Sequence, residues 1–192
     1  TEEQIQKVIE QAKIDHGVDL EIDKTYRYCV LSNRKKNYLG VTNSGKVDVK
    51  GLTGKKSHTP AFIKKLFFEL LDVLSVVQTM EDFVKAKKEI SEKIAVCGKK
   101  VEAKEIPLED LTFNVMLSKA PSEYTKTIPQ HIRAAKQLEG IREIKKGDKI
   151  SFIKILNKPG VKPVELAKKE EMDSKKYMEF LESTLEQITS SM

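Results

Sequence analysis

The chain has 192 residues, enough for one good domain or for one domain with part of another attached. With 39% hydrophobic and 33% charged residues and a net charge of +6, it calls for a buried core, and a disordered tail is excluded. No apolar run approaches the roughly 18 residues that span a bilayer and no charged–apolar–small leader precedes the first helix, so a membrane role is excluded and a cytoplasmic location expected.

Thr1-Glu2-Glu3-Gln4 reads as a capping box opening a helix, with Ile5, Val8, Ile9 and Ala12 on one face and Gly17 at its end. Leu20 to Leu31 alternates and is rich in Tyr, Val and Ile, which predicts a strand with Tyr26, Tyr28 and Val30 on one face. A turn at Asn33 and Arg34 leads to two short strands, Lys36 to Thr42 and Lys46 to Lys50, around Asn43-Ser44-Gly45. After Gly51 the character changes. Thr59 caps and Pro60 opens a helix whose stripe of Phe62, Ile63, Leu66, Phe67, Leu70, Leu71 and Leu74 must be buried. A second helix starts at Thr79 with Asp82 three residues on, presents Phe83, Ala86, Ile90, Ile94 and Cys97, and is expected to stop at Gly98. Residues 112–118 alternate as a short strand, Pro129 opens a helix with Ile132, Ala135 and Leu138 inward, and Lys149 to Leu156 is a further strand. Asp173 caps a last helix carrying Tyr177, Phe180, Leu181, Leu185 and Ile188. The class is α+β: helix plus antiparallel strands over 1–57, then a mostly helical part with a few short strands over 58–192. The first part has under about 60 residues and a poor core of its own, so it is expected to pack against something the chain does not contain.

Gly40 to Lys46 has the spacing of a phosphate-binding loop. The next residue, however, is Val47 where a hydroxyl is needed for magnesium, and the loop leads into an alternating strand instead of a helix; a hairpin turn is expected. His16, His58 and His131 lack Cys or carboxylate partners at metal-ligand spacing, and no closely spaced aspartate pair offers a two-magnesium site. Cys29 and Cys97 read as reduced core thiols. No active site is evident.

Charge is the informative feature. Residues 24–65 hold 11 basic side chains against Asp48 alone, and residues 119–163 have a net charge of +7, while the rest of the chain is net acidic. Excess cations gathered in two blocks fit a surface built for a polyanion. In the first block Lys35, Lys36, Asn37 and Tyr38 place cations beside an aromatic at a strand start, Lys36 and Tyr38 on one face and Lys35 and Asn37 on the other, with Lys55 and Lys56 in the following loop. An edge strand guarded by lysines is the alternative for this segment. The second block sets Lys119, Lys126, Arg133 and Lys136 around Thr127-Ile128-Pro129, at a helix start suited to phosphate; His131 in its first turn either reaches phosphate or caps.

Several stretches are familiar. Asp19-Leu20-Glu21-Ile22-Asp23-Lys24-Thr25-Tyr26, Lys35-Lys36-Asn37-Tyr38-Leu39-Gly40 and Val49-Lys50-Gly51-Leu52 resemble the region after the catalytic aspartate motif of archaeal B-family DNA polymerases, Lys35, Lys36 and Tyr38 matching that family's K-K-x-Y motif. Met116-Leu117-Ser118-Lys119, Glu123-Tyr124, Pro129-Gln130-His131-Ile132, Ala134-Ala135-Lys136, Gly160-Val161-Lys162-Pro163-Val164 and Asp173-Ser174-Lys175-Lys176-Tyr177 continue the match in order over nearly the whole chain. The resemblance implies that residues 1–57 end the palm and 58–192 form the thumb of a polymerase used in replication, acting in the cytoplasm at the nucleoid. It implies that the aspartates and the magnesium of the complete enzyme lie upstream, that this part holds no cofactor, and that it is inactive alone. Its partners would be primer–template duplex, the rest of the polymerase (exonuclease, palm and fingers) and, through a tail not present here, a sliding clamp. Lys35, Lys36, Tyr38, Ser118, Lys119, His131 and Lys136 are the contact positions carried over; Thr1 in place of Met suits an excised fragment or a trimmed tag. Two departures stand out: Lys55-Lys56-Ser57-His58 replaces the paired-basic element, often Arg-Arg-Asp, at the palm–thumb junction, and Thr189-Ser190-Ser191-Met192 lacks the aromatic clamp-docking pair. A natural small subunit of a split polymerase, or a polymerase-derived module that binds protein through its helical face, are the alternatives.

Overall fold

The computed structural model describes residues 1–32 and 35–189, so the expected turn at Asn33 and Arg34 and the last three residues lie outside it. The described residues form five α-helices and two three-stranded antiparallel sheets, the expected α+β class. No helix among them is long and apolar enough to cross a membrane.

Helix α1 (Glu2–His16) carries the expected capping box between Thr1 and Gln4 and is closed by Gly17 at φ 64°, a left-handed conformation that glycine adopts without a Cβ clash. None of its residues is buried, and Val8 and Ile14 are 61% and 76% exposed, so its apolar face lies open. The strand expected over Leu20–Leu31 shrinks to β1 (Tyr28–Leu31), the stretch paired with the next strand, with one further backbone bond from Arg27 N to Val41 O at 2.7 Å. Strands β2 (Tyr38–Val41) and β3 (Val47–Lys50) complete the first sheet in the order β1-β2-β3. Gly45, at φ 81°, lies in the hairpin turn, where Thr42 N donates to Lys46 O at 3.0 Å, so the glycine-rich stretch is a turn as expected. Val30, Leu39, Val41 and Val49 face the core; Tyr38, Gly40, Asp48 and Lys50 alternate with them on the outer face. Cys29 also lies outside the core and is exposed, contrary to the expectation of a buried thiol.

Helix α2 (Ala61–Ser75) buries all seven residues of its apolar stripe. Thr59 does not cap it: its hydroxyl donates to Thr53 O at 2.7 Å, and Pro60 occupies the capping position. The far end of α2 is served by the sheet. Arg27 Nη2 donates to Ser75 O at 2.8 Å and the Tyr28 hydroxyl donates to Leu74 O, supplying both hydrogen bonds and a cation to the negative end of a helix that has no basic residue in its own last turn.

Helix α3 (Met80–Glu102) starts with the expected Thr79–Asp82 capping box but runs through Gly98. A Cβ at Gly98 would come within 3.1 Å of Met178 Cε on the last helix, so this glycine marks a close helix crossing instead of a stop. Strands β4 (Phe113–Met116), β5 (Lys149–Lys154) and β6 (Val161–Pro163) form the second sheet in that order; β6, three residues including a proline, was not anticipated. Helix α4 (Gln130–Lys136) packs against β5 and β6, with Ile132, Ala135 and Leu138 buried as expected. Helix α5 (Ser174–Thr189) is capped by Asp173, whose Oδ1 accepts from Lys176 N at 3.1 Å.

Tyr177 on α5 is fully buried and acts as a splice in the second sheet. Phe113 pairs with Phe152, and one further hydrogen-bonding step of that register would bring Leu111 opposite Lys154. The Tyr177 hydroxyl sits between those two residues instead, donating to Leu111 O at 2.6 Å and accepting from Lys154 N at 3.2 Å. At the other end of α5, buried Gln187 accepts from Thr53 N and donates to Thr53 Oγ1, both at 2.9 Å. One continuous core, from Val30 in the first sheet to Ile188 in α5, joins all these elements except α1.

Candidate nucleic-acid interface

The first basic block folds into a turn, a strand and a second turn. Lys35 and Lys36 are exposed in a tight turn before β2, with Lys36 in the left-handed region at φ 61°. Because the strand begins only at Tyr38, the alternation expected between Lys35/Asn37 and Lys36/Tyr38 does not hold; both lysines lie on the turn. Asn37 is the anchor of this turn. Its side-chain amide, with nitrogen inward, donates to Gly51 O and Lys36 O at 3.3 Å, and a Cβ on Gly51 (φ 69°) would fall 2.1 Å from that inward end of the Asn37 amide. Gly51 is therefore the residue that lets the two turns touch. Tyr38 is half-buried, directly opposite exposed Lys50 in the β2–β3 register. Lys55, at the end of the short 3-10 turn Thr53–Lys55, and Lys56 just after it are both exposed.

The second block gathers around a polar trio. The Ser118 hydroxyl lies 3.0 Å from the Tyr124 hydroxyl, and the Tyr124 ring meets His131 edge-on at 6.3 Å. Burial holds His131 below its ordinary pKa, favouring the neutral ring, and no side chain, His131 included, caps α4. Lys119, Lys126 and Lys136 are exposed around this trio. Arg133 is turned elsewhere: its Nη1 donates to Pro159 O at 2.8 Å, so it ties α4 to the loop before β6. Among the described residues no hydrogen bond, ion pair or ring contact joins the two blocks.

Ion pairs engage a minority of the lysines among the described residues, as in Lys162–Glu171 at 2.7 Å and Lys93–Glu89 at 3.5 Å. Among the described residues Lys35, Lys36, Lys50, Lys55, Lys56, Lys119, Lys126 and Lys136 form no ion pair. Lys24, the first cation of the block, is the exception there, bonded to Asp48 at 2.6 Å. Lys50 and Tyr26 belong with the outer face of the sheet, though neither is conspicuous in the sequence; the register of β2 against β3 is the signal that would have found Lys50. A groove of about 710 Å³ along α2 and α3 is lined by Glu69, Glu89, Glu92, Glu105 and Asp110, more acids than bases, and offers no seat to a polyanion. Among the described residues no three His, Cys, Asp or Glu side chains cluster as a metal site requires.

The family model "DNA polymerase family B" matches residues 1–191. The chain is 42% identical over 98% of its length to DNA polymerase 1 of Sulfurisphaera ohwakuensis, and 37% identical over 94% of its length to DNA polymerase 1 of Aeropyrum pernix. It covers 22% and 19% of those proteins, so it spans about a fifth of the length of the curated relatives it matches. In fold it is similar to the family B DNA polymerase of the hyperthermophilic archaeon Pyrobaculum calidifontis, with a TM-score of 0.69 over 98% of this chain and 24% of that one, at 17% identity. The resemblance read from the K-K-x-Y and later motifs is borne out: the chain belongs to DNA polymerase family B.

Proposed function

We propose that the chain is the end of the palm (1–57) and the thumb (58–192) of a family B DNA polymerase, and that it grips newly made primer–template duplex without carrying out phosphoryl transfer itself. The observation that carries this reading is the gathering of exposed lysines without carboxylate partners in two basic blocks, the first with 11 cations against Asp48 alone. Like charges held together without partners raise the energy of the free protein, and a phosphate backbone relieves that cost. A polymerase must hold whatever sequence it has just copied, which suits contacts to phosphates over contacts to base edges. Magnesium, expected for the complete enzyme, has no carboxylate cluster to hold it among the described residues, and in this reading it belongs to the upstream palm. The open apolar face of α1 is the surface on which that upstream part would pack.

The test is duplex binding followed by fluorescence anisotropy across a salt titration. Binding should be weak, independent of sequence and steeply salt-dependent. Lys36→Ala and Lys119→Ala should each lower the slope of log affinity against log salt by about one. In the complete polymerase the same changes should shorten processive runs more than they slow single incorporation. Tight binding indifferent to salt, or equal loss in single incorporation, would contradict the assignment.

A further inference from the structure

Asp48 is the lone acid among the 11 cations of the first basic block, and it lies on the outer face of the sheet, two residues from Lys50. A carboxylate there repels DNA unless it serves another purpose. Its Oδ2 accepts from the Tyr26 hydroxyl at 2.7 Å and from Lys24 Nζ at 2.6 Å. The Tyr26 ring in turn covers Gly40: a Cβ on Gly40 would stand only 2.5–2.6 Å from three atoms of that ring. Gly40 and Tyr38 are neighbours on the same face of β2, and the Tyr26 ring meets the Tyr38 ring edge-on, with centroids 6.4 Å apart. The missing side chain at position 40 therefore makes a berth for Tyr26, and Tyr26 forms a wall against Tyr38.

We propose that Asp48 and Tyr26 are positioning residues for the duplex grip: Asp48 fixes the Tyr26 hydroxyl, and Tyr26, seated on Gly40, sets the Tyr38 ring beside Lys50. The inference rests on the duplex-gripping reading above. It also divides the lysines of this face. Lys24 is held by Asp48 inside the network, whereas Lys50, exposed and unpaired, is a contact. Asp48 stays ionised throughout because the Lys24 and Tyr26 hydrogen bonds hold it down at about 2.

A double-mutant cycle on the 192-residue chain tests the idea, with duplex affinity and its salt slope as readouts and urea unfolding as a check on the fold. Tyr26→Phe keeps the ring on Gly40 and the Asp48–Lys24 pair but removes the hydroxyl. It should weaken duplex binding about five-fold with an unchanged salt slope, since no phosphate contact is lost. In a Tyr38→Ala background the same change should have almost no effect. An equal loss in both backgrounds, or no loss in either, overturns the positioning role. If Tyr38→Ala alone leaves affinity untouched, the proposal falls while the lysine grip stands. If the unmutated chain binds no duplex, the grip reading fails and takes the proposal with it.

Discussion

Tyr177→Phe removes one oxygen atom from the centre of the fold. In the unmodified protein that hydroxyl bridges Leu111 O and Lys154 N, at 2.6 and 3.2 Å, in a fully buried position. Burial pushes its pKa well above the ordinary tyrosine value, so it remains an O–H donor at any working pH. The phenylalanine ring fills nearly the same volume, which leaves hydrogen bonding as the main change. Two buried peptide groups lose their partner, each at a cost of about 1–3 kcal/mol. The two groups are near register mates across β4 and β5, so a small closing movement recovers part of this, and the expected net loss is about 2 kcal/mol. For a chain of this size that corresponds to a fall of about 4–8 °C in melting temperature. Urea unfolding gives the free energy, and amide hydrogen exchange at Lys154 reports the local change, with protection expected to drop. A variant within about 0.5 kcal/mol of the parent whose Lys154 amide remains protected would refute the splice.

Gln187→Ala should cost about 2–4 kcal/mol in urea unfolding, because it strands the Thr53 N–H and vacates a buried site; Thr53→Ala added to it should cost less than it does alone. Gly98→Ala should be neutral or stabilising by up to about 1 kcal/mol, since the new methyl meets only the mobile end of Met178 and alanine favours the helix; a loss above about 1 kcal/mol would show that the crossing cannot give. Acid should destabilise the fold in two stages, measured as the melting temperature against pH. Burial depresses His58 and His131, so the unfolded chain takes up protons first as pH falls below the ordinary 6.5. Asp48 follows: its contribution is fully present above the ordinary 3.8 and is lost as pH falls to about 2, and Asp48→Asn should remove this second stage at that site.

Local signals were read well and non-local ones poorly. The capping boxes at Thr1 and Thr79, the buried stripe of α2 and the hairpin turn at Gly45 depend on residues within a few positions of each other, so the sequence displays them. Gly98 was misread because its reason, Met178 on another helix, lies far along the chain; a helix glycine and a stop glycine look alike without that partner. Thr59 was misread because its hydroxyl prefers Thr53 O to the helix it precedes. Two thirds of the strand expected over Leu20–Leu31 failed because alternation marks a chain able to pair, and among the described residues the ladder with β2 takes in only Tyr28–Leu31. At the candidate interface the exposed lysines were legible from charge alone. The diversion of Arg133 to Pro159 O and the Asp48–Tyr26–Gly40 arrangement were not, since each joins residues more than a dozen positions apart.

The way α2 ends has a consequence for how the molecule comes apart. Leu74 O and Ser75 O at its end accept from the Tyr28 hydroxyl and from Arg27 Nη2, at the start of the first sheet and just before it. Losing the sheet would uncover those carbonyls together with the α2 stripe, and losing the helix would leave the inner face of the sheet without its cover. Neither part is therefore an independent melting unit. Although sequence character changes at residues 51–58, calorimetry should record a single heat-absorption peak for both sides, with α1 alone free to fray ahead of it.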